Sequence, residues 1–144
     1  MKKEIKNLTF PEVKFQNLNS LDDSMLKRVV IVSRYKNKWV YYKAKTRTTW
    51  EIPGGKIENN ETPLNAAKRE LYEETGAIDF NIKPICIFFV FQPALLCYAT
   101  IYKFEKNLKY EIEKVEFFDD ERSELTYPQI HPFLFKKIKE NILD

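Results

Sequence analysis

GGKIENNETPLNAAKRELYEETGA, residues 54–77, places five glutamates and one arginine in a stretch that carries the marks of a helix. Thr62 can cap its N-terminus, Pro63 suits the first helical position, and Gly76 suits the left-handed position just past the end. With about 100° of rotation per residue, Glu70, Glu73 and Glu74 fall on one face at i, i+3 and i+4. Leu64, Ala67 and Leu71 form a second face about a quarter-turn away, suited to pack on a sheet. Ala66, one turn before Glu70, is small and is expected to leave room above the carboxylates. Like charges at this spacing repel by a few tenths of a kcal/mol per exposed pair and by more once desolvated, so an enclosed acidic face calls for a cation. Alone, RELYEE would read as a solvated helix in which Lys68 and Arg69 soften the repulsion.

On either side of the helix the sequence reads as strands. KRVVIVSRY and KWVYYKAK are rich in β-branched and aromatic residues and are separated by a turn at residues 36–38. TWEIPGG is expected to run extended and then break at Pro53, Gly54 and Gly55. After the helix, ICIFFVF and LLCYATIY flank QPA and read as two strands with a short connection, which makes Pro93 a turn residue. KVEFFDDE reads as a further strand, IHPFLFKKIKENI as a C-terminal helix starting near Pro132, and residues 4–16 as a weakly patterned edge strand. Strands mixed with two separated helices predict an α/β sandwich around a mixed sheet, and no linker or repeat divides residues 1–144, which read as one domain.

Composition narrows the function. With 44% apolar and 31% charged residues, the chain is neither disordered nor a miniature scaffold. A net charge of +3 is too small to argue for bulk nucleic-acid binding, and no stable nucleic-acid complex is expected. The charges are nonetheless unevenly spread. Between Ser24 and Trp50 there are eight lysines and arginines and no acid, a wall suited to an anionic, phosphate-bearing ligand, whereas residues 111–124 carry seven acids against two bases. Cys86 and Cys97 lie in apolar runs without CxxC spacing and read as buried free thiols, and the single His131 cannot build a zinc site by itself. The longest apolar run is too short to span a membrane and the N-terminus has no signal-peptide core, so a soluble, cytoplasmic protein is expected.

The spacing inside the opening stretch decides the context of the acidic face. From Gly55 it runs through Glu61, Arg69, Glu70, Leu71, Glu73, Glu74 and Gly76 to Ala77, and at every specified position it resembles the signature of the Nudix hydrolase family. Seven fixed residue types at average usage would coincide by chance on the order of once in 10⁸ starting points. The resemblance implies a mixed β-sheet sandwiched between α-helices, with a loop-helix-loop that binds divalent metal. It implies that Glu70, Glu73 and Glu74 are metal ligands assisted by the Gly55 carbonyl, while Glu61 and Arg69 turn toward each other and, with Gly76, shape the motif. Carboxylate and carbonyl oxygens are hard donors suited to Mg²⁺, with Mn²⁺ as a possible substitute.

The reaction so implied is attack of a metal-activated water on a phosphorus of a nucleoside diphosphate linked to a further group. EIPGGKIENNETP looks like the branch that converts nucleoside triphosphates, oxidised ones included, to monophosphate and pyrophosphate. ADP-ribose or dinucleoside polyphosphate hydrolysis and a non-catalytic nucleotide-binding module are the alternatives. Ile52 and Ile130 stand where that branch's best-known member has base-pocket groups, so a guanine preference does not follow. Glu111 is the candidate for an additional catalytic carboxylate, with Glu113 and Glu105 behind it. Arg34, Lys45, Arg47 and Lys56 are the candidates for holding substrate phosphates, and Tyr35, Tyr42, Trp50 and Phe89 for stacking on a base.

Overall fold

Strict alternation of buried side chains along four strands makes a sheet with two apolar faces. In the computed structural model, which describes residues 12–107 and 112–142, Val29, Ile31, Val40, Ile87, Leu95, Cys97 and Ala99 point to one face. Val32, Trp39, Tyr41, Cys86, Phe88, Ala94 and Leu96 point to the other. The strands are β1 (Lys14–Gln16), β2 (Arg28–Tyr35), β3 (Lys38–Ala44), β4 (Gly54–Lys56), β5 (Ala77–Val90), β6 (Gln92–Phe104) and β7 (Ile112–Phe118). Their order is β1-β5-β6-β2-β3-β7, with β4 also paired to β2. The β2–β6 pair is parallel and the other pairs are antiparallel, so the sheet is mixed. Helix α1 (Pro63–Thr75) covers the first face through Ala66, Ala67 and Leu71, and helix α2 (His131–Ile142) covers the second through Leu134, Phe135 and Ile138. This is the sheet between helices that the sequence predicts.

Both ends of α1 are set by local chemistry. Thr62 Oγ1 accepts from the Asn65 N–H at 3.1 Å, and Gly76 closes the helix in the left-handed region at φ 79°. The β2–β3 hairpin turns at Lys36 and Asn37, both with positive φ, as a two-residue turn matched to strand twist requires.

Four expectations change. Gly54 and Gly55 do not break the chain but form β4 against Val30 and Val29. Pro93 is a strand residue opposite Phe89, its carbonyl accepting from Lys27, and the tight turn lies at Phe91 with φ 65°. β5 begins directly at Ala77, before the apolar run, and its polar first half is accommodated by register shifts, one of them beside Pro84. Ala66 is fully buried against the sheet, so the space above it belongs to the core. Cys86 and Cys97 are free and buried on opposite faces.

Candidate active site

The site forms where the sheet divides. The first residues of β2 pair with β4 and its last residues with β3, so β3 and β4 part company alongside the middle of β2. A backbone bridge between Tyr42 and Glu51 keeps the gap narrow. Glycine at the first two positions of β4 lets neighbours approach closely. A Cβ on Gly54 would stand 2.6 Å from the Val29 carbonyl oxygen, and one on Gly55 would stand 2.6 Å from the Glu70 carboxyl carbon. The acidic face of α1 therefore comes against bare backbone.

Glu74 penetrates furthest. Its Oε1 accepts from the Gly54 N–H at 2.8 Å and its Oε2 from the Tyr42 hydroxyl at 2.5 Å. Burial pushes its carboxyl up to about 8 despite these two donors, with the neighbouring Glu70 adding to the rise. The Tyr42 hydroxyl also lies 3.4 Å from Oε1 of Glu51, a carboxylate that is 7% exposed and that burial likewise raises. Tyr42 thus stands between two buried acids, and burial first and Glu74 second hold its own proton firmly on.

Arg69 answers the charge on the outer side. Its Nε donates to Glu61 Oε2 at 2.7 Å and its Nη2 to Glu61 Oε1 at 3.0 Å, a bidentate pair that keeps the Glu61 carboxyl below the usual carboxylate range. Its Nη1 reaches Glu70 at 2.8 Å and Glu73 at 3.3 Å, and Nη2 also donates to the Lys56 carbonyl at 3.0 Å. The Glu58 N–H donates to Glu61 as well, which closes the loop between β4 and α1. Among the described residues no three acidic, histidine or cysteine side chains are grouped as a metal site would require, and both Glu70 and Glu73 are turned to the guanidinium. The donors still suit a hard cation. Glu70 and Glu74 are neighbours whose charges oppose one another, and the Glu70 carboxyl lies where Gly55 lacks a side chain.

Glu74, Gly54 and Gly55 close one end of a cleft of about 610 Å³ on the α2 side of the sheet. Val30, Ile52, Phe88 and Ala94 form an apolar floor. Phe91 and Gln92 from the β5–β6 turn form one wall, and Tyr127, Ile130 and His131 at the start of α2 the other. Backbone bonds from Trp50 to Glu124 and from Thr126 to Trp50 tie the approach to α2 beside β4 and so set the second wall. Arg28 and Glu51 complete the lining.

The phosphate candidates are distributed differently from the sequence expectation. Arg34 lies at the hairpin end of β2, donating to the Asn37 carbonyl and stacking 4.8 Å from the Trp39 ring, and it does not line the cleft. Lys45 is exposed in the β3–β4 connection and Lys56 is exposed on β4, neither in the lining. Arg47 stands at the rim, 3.7 Å from Glu51 and over the Tyr127 ring. Among the described residues Arg28, a member of the same basic run, is the cation that lines the cleft. Of the stacking candidates, Tyr35 packs with Phe104 and Phe117, Trp50 with Phe118, and Phe89 against the α1-side core. Tyr42 lines the cleft with its hydroxyl engaged, and the exposed rings there belong to Phe91 and Tyr127. Glu111 lies outside the described residues, Glu113 is exposed on β7, and Glu105 accepts from the Tyr72 hydroxyl beyond the end of α1.

The NUDIX domain family profile matches residues 21–94, just over half of the chain. An RNA pyrophosphohydrolase of Bartonella henselae is 67% identical over 27 residues, which is 19% of this chain and 16% of that protein. Bacillus subtilis YtkD, whose name carries a provisional 8-oxo-dGTP diphosphatase assignment, is 30% identical over 119 residues, 81% of this chain and 66% of that one. The matches thus span from about a sixth to just under two thirds of these relatives' lengths. The crystal structure of the Bacillus subtilis pyrophosphohydrolase BsRppH superposes with a TM-score of 0.77 at 24% identity, covering 94% of this chain and 98% of that one. No helix among the described residues is long and apolar enough to cross a membrane.

Proposed function

Because the chain belongs to the Nudix hydrolase family, we propose that it hydrolyses a pyrophosphate bond in nucleoside diphosphate-linked substrates, foremost (d)NTPs or oxidised dNTPs, giving monophosphate and pyrophosphate in a soluble, cytoplasmic setting. The observation that carries this reading is the double role of Glu74, which belongs to the acidic face of α1 and also closes the end of an apolar, aromatic-rimmed cleft. A base on the Val30, Ile52, Phe88 and Ala94 floor would have its phosphates extending toward the carboxylates, with Arg28 and Arg47 beside them.

Glu70, Glu73, Glu74 and the Gly55 carbonyl are the groups that would hold a divalent cation of the Mg²⁺ type, which when bound neutralises charge on phosphoryl oxygens and acidifies a water. The chain's own contribution is positional. The Gly54 N–H and the Tyr42 hydroxyl fix both oxygens of Glu74. Arg69, anchored by Glu61, holds Glu70 and Glu73 beside it through one nitrogen. Glu111 is retained as the candidate proton acceptor outside the motif.

Ion chromatography after incubation with Mg²⁺ and dNTPs, 8-oxo-dGTP, ADP-ribose, diadenosine polyphosphates and a 5′-triphosphorylated RNA oligonucleotide tests the reading. Monophosphate plus pyrophosphate from free triphosphates is expected. Orthophosphate as the primary product, or turnover confined to ADP-ribose or to the RNA end, would overturn the free-triphosphate assignment. Absence of turnover on the whole panel would favour a non-catalytic nucleotide-binding module.

A further inference from the structure

The β5–β6 connection is a single residue. Val90 pairs with Gln92 across the hairpin, which leaves Phe91 alone to reverse the chain, with φ 65°. The other positive-φ positions among the described residues are Lys36 and Asn37 in the β2–β3 turn, Asn60 ahead of α1, and Gly76. Glycine and asparagine visit the left-handed region at little cost, whereas a bulky side chain there is strained. A phenylalanine therefore gains nothing from this turn. With 77% of its surface exposed, the most of any large apolar side chain among the described residues, Phe91 also buries too little to offset the strain by core packing. Strained backbone of this kind persists where the conformation serves a binding site. The turn is placed accordingly. Val90, Phe91 and Gln92 all line the cleft, and Phe88 on the same strand supplies part of its apolar floor, so the hairpin carries an exposed ring to the wall of that cleft.

We propose that the Phe91 ring stacks on the nucleobase of the bound substrate, a contact that secures any base and selects none. The assignment rests on the cleft being the base site of the reading above. A phenyl ring has no polar atom, so it recognises a planar aromatic face and not the donor and acceptor pattern of a base edge. Every base presents such a face, and stacking on it tolerates them all. Tyr127 on the other wall is already engaged, edge-on to the His131 ring at 5.4 Å and beneath the Arg47 guanidinium at 6.0 Å. Phe91 is the lining ring with the most surface left to cover.

Phe91→Asn is the informative variant, because asparagine suits a left-handed turn and replaces the ring with a small polar group. Calorimetric titration of wild type and variant with the four nucleoside 5′-monophosphates, in the presence of Mg²⁺, reads the contact directly. Affinity is expected to fall about five- to a hundredfold for each of the four. Affinity for ribose 5-phosphate, which shares the sugar phosphate but has no base, is expected to be unchanged, and the melting temperature to be no lower than that of wild type. Phe91→Trp keeps a flat ring and is expected to bind the monophosphates as wild type does. Unchanged monophosphate affinity in Phe91→Asn, an equal loss for ribose 5-phosphate, or no saturable binding of any monophosphate by wild type overturns the proposal. A folded Phe91→Trp protein that binds as weakly as Phe91→Asn overturns it equally. Turnover of triphosphates by wild type alongside unchanged affinity in Phe91→Asn removes the stacking role and leaves the hydrolase reading standing, whereas ring-dependent binding without turnover does the reverse.

Discussion

Gly54 and Gly55 are adjacent and chemically identical, yet replacing each with alanine is expected to damage different properties. A Cβ on Gly54 would lie 2.6 Å from the Val29 carbonyl oxygen and 3.2 Å from a Val30 methyl. The obstacle is backbone of the paired strand β2, which cannot move without disturbing its parallel ladder with β6. Overpacking of that kind costs about 1–3 kcal/mol, which for a chain of this size lowers Tm by roughly 3–10 °C. At Gly55 the Cβ would instead meet the Glu70 carboxyl group, the mobile end of a side chain. Gly55→Ala should therefore cost little stability, about 1 kcal/mol or less, because the carboxylate can swing aside. The displacement is then carried into the proposed cation site, where a shift of about 1 Å is enough to cost on the order of a hundredfold in rate. Thermal melts and single-turnover kinetics on both variants separate the effects. A Gly54→Ala protein that melts with wild type would contradict the account of β4. A Gly55→Ala protein with wild-type turnover would show that the Glu70 carboxylate does not need its place against bare backbone.

Glu74→Gln is expected to leave the melting temperature unchanged or raised, because it removes a desolvated acid pushed up to about 8, while lowering turnover by about a hundredfold or more. Glu61→Gln should lose less rate than Glu74→Gln but about 1–2 kcal/mol of stability, since it breaks the bidentate pair with Arg69, and parallel kinetics with urea unfolding compare the two. A Glu111→Gln rate within about threefold of wild type across the pH range would remove that residue from the mechanism. The His131 imidazole titrates near 6.5 when unfolded and near 4 when folded, so between these values the unfolded chain binds more protons. Stability should accordingly fall as pH drops from 6.5 toward 4, with this group contributing about 3 kcal/mol of the loss. Urea unfolding at pH 7 and pH 4.5 should show a smaller pH difference for His131→Phe than for wild type.

Features whose causes lie within a few residues were legible in the sequence. The ends of α1 follow from Thr62, Pro63 and Gly76, and the Glu61, Arg69, Glu70, Glu73 and Glu74 spacing marks out the acidic loop and helix. Features with distant causes were not. Gly54 and Gly55 read as breakers because what they make room for, Val29 on β2 and Glu70 on α1, is contributed by other elements. The first half of β5 was hidden because Asp79, Asn81 and Lys83 are polar and Pro84 follows, and its pairing with β6 supplies what propensity does not. Tyr42 read as a free ring, although its hydroxyl is committed to a carboxylate 32 residues away. The basic run indicated an anionic ligand without telling which cations would face it. Arg28 and Arg34 lie on the same strand, but the first is at the cleft end and the second at the hairpin.

The position of Glu74 also explains why the sheet has to divide. Helix α1 packs on one face of the sheet and the cleft opens toward α2 on the other, so a carboxylate on α1 can serve the cleft only by passing the plane of the strands. A continuous β2–β3 ladder would block that route with paired backbone. Separating β3 from β4 opens it, and the cost of exposing ladder groups at the gap is offset because the Gly54 N–H finds its acceptor in Glu74 itself. Tyr42 on β3 donates to the other oxygen from across the opening. The carboxylate is thus held by one group from each of the two diverging strands, and any change in the angle between β3 and β4 moves it. On this argument Tyr42→Phe, which leaves the ring packing and deletes one of the two holds, should loosen Glu74 without unfolding the chain. The expected signature is a lower apparent affinity for the activating cation, with the Arg69–Glu61 side of the motif unaffected.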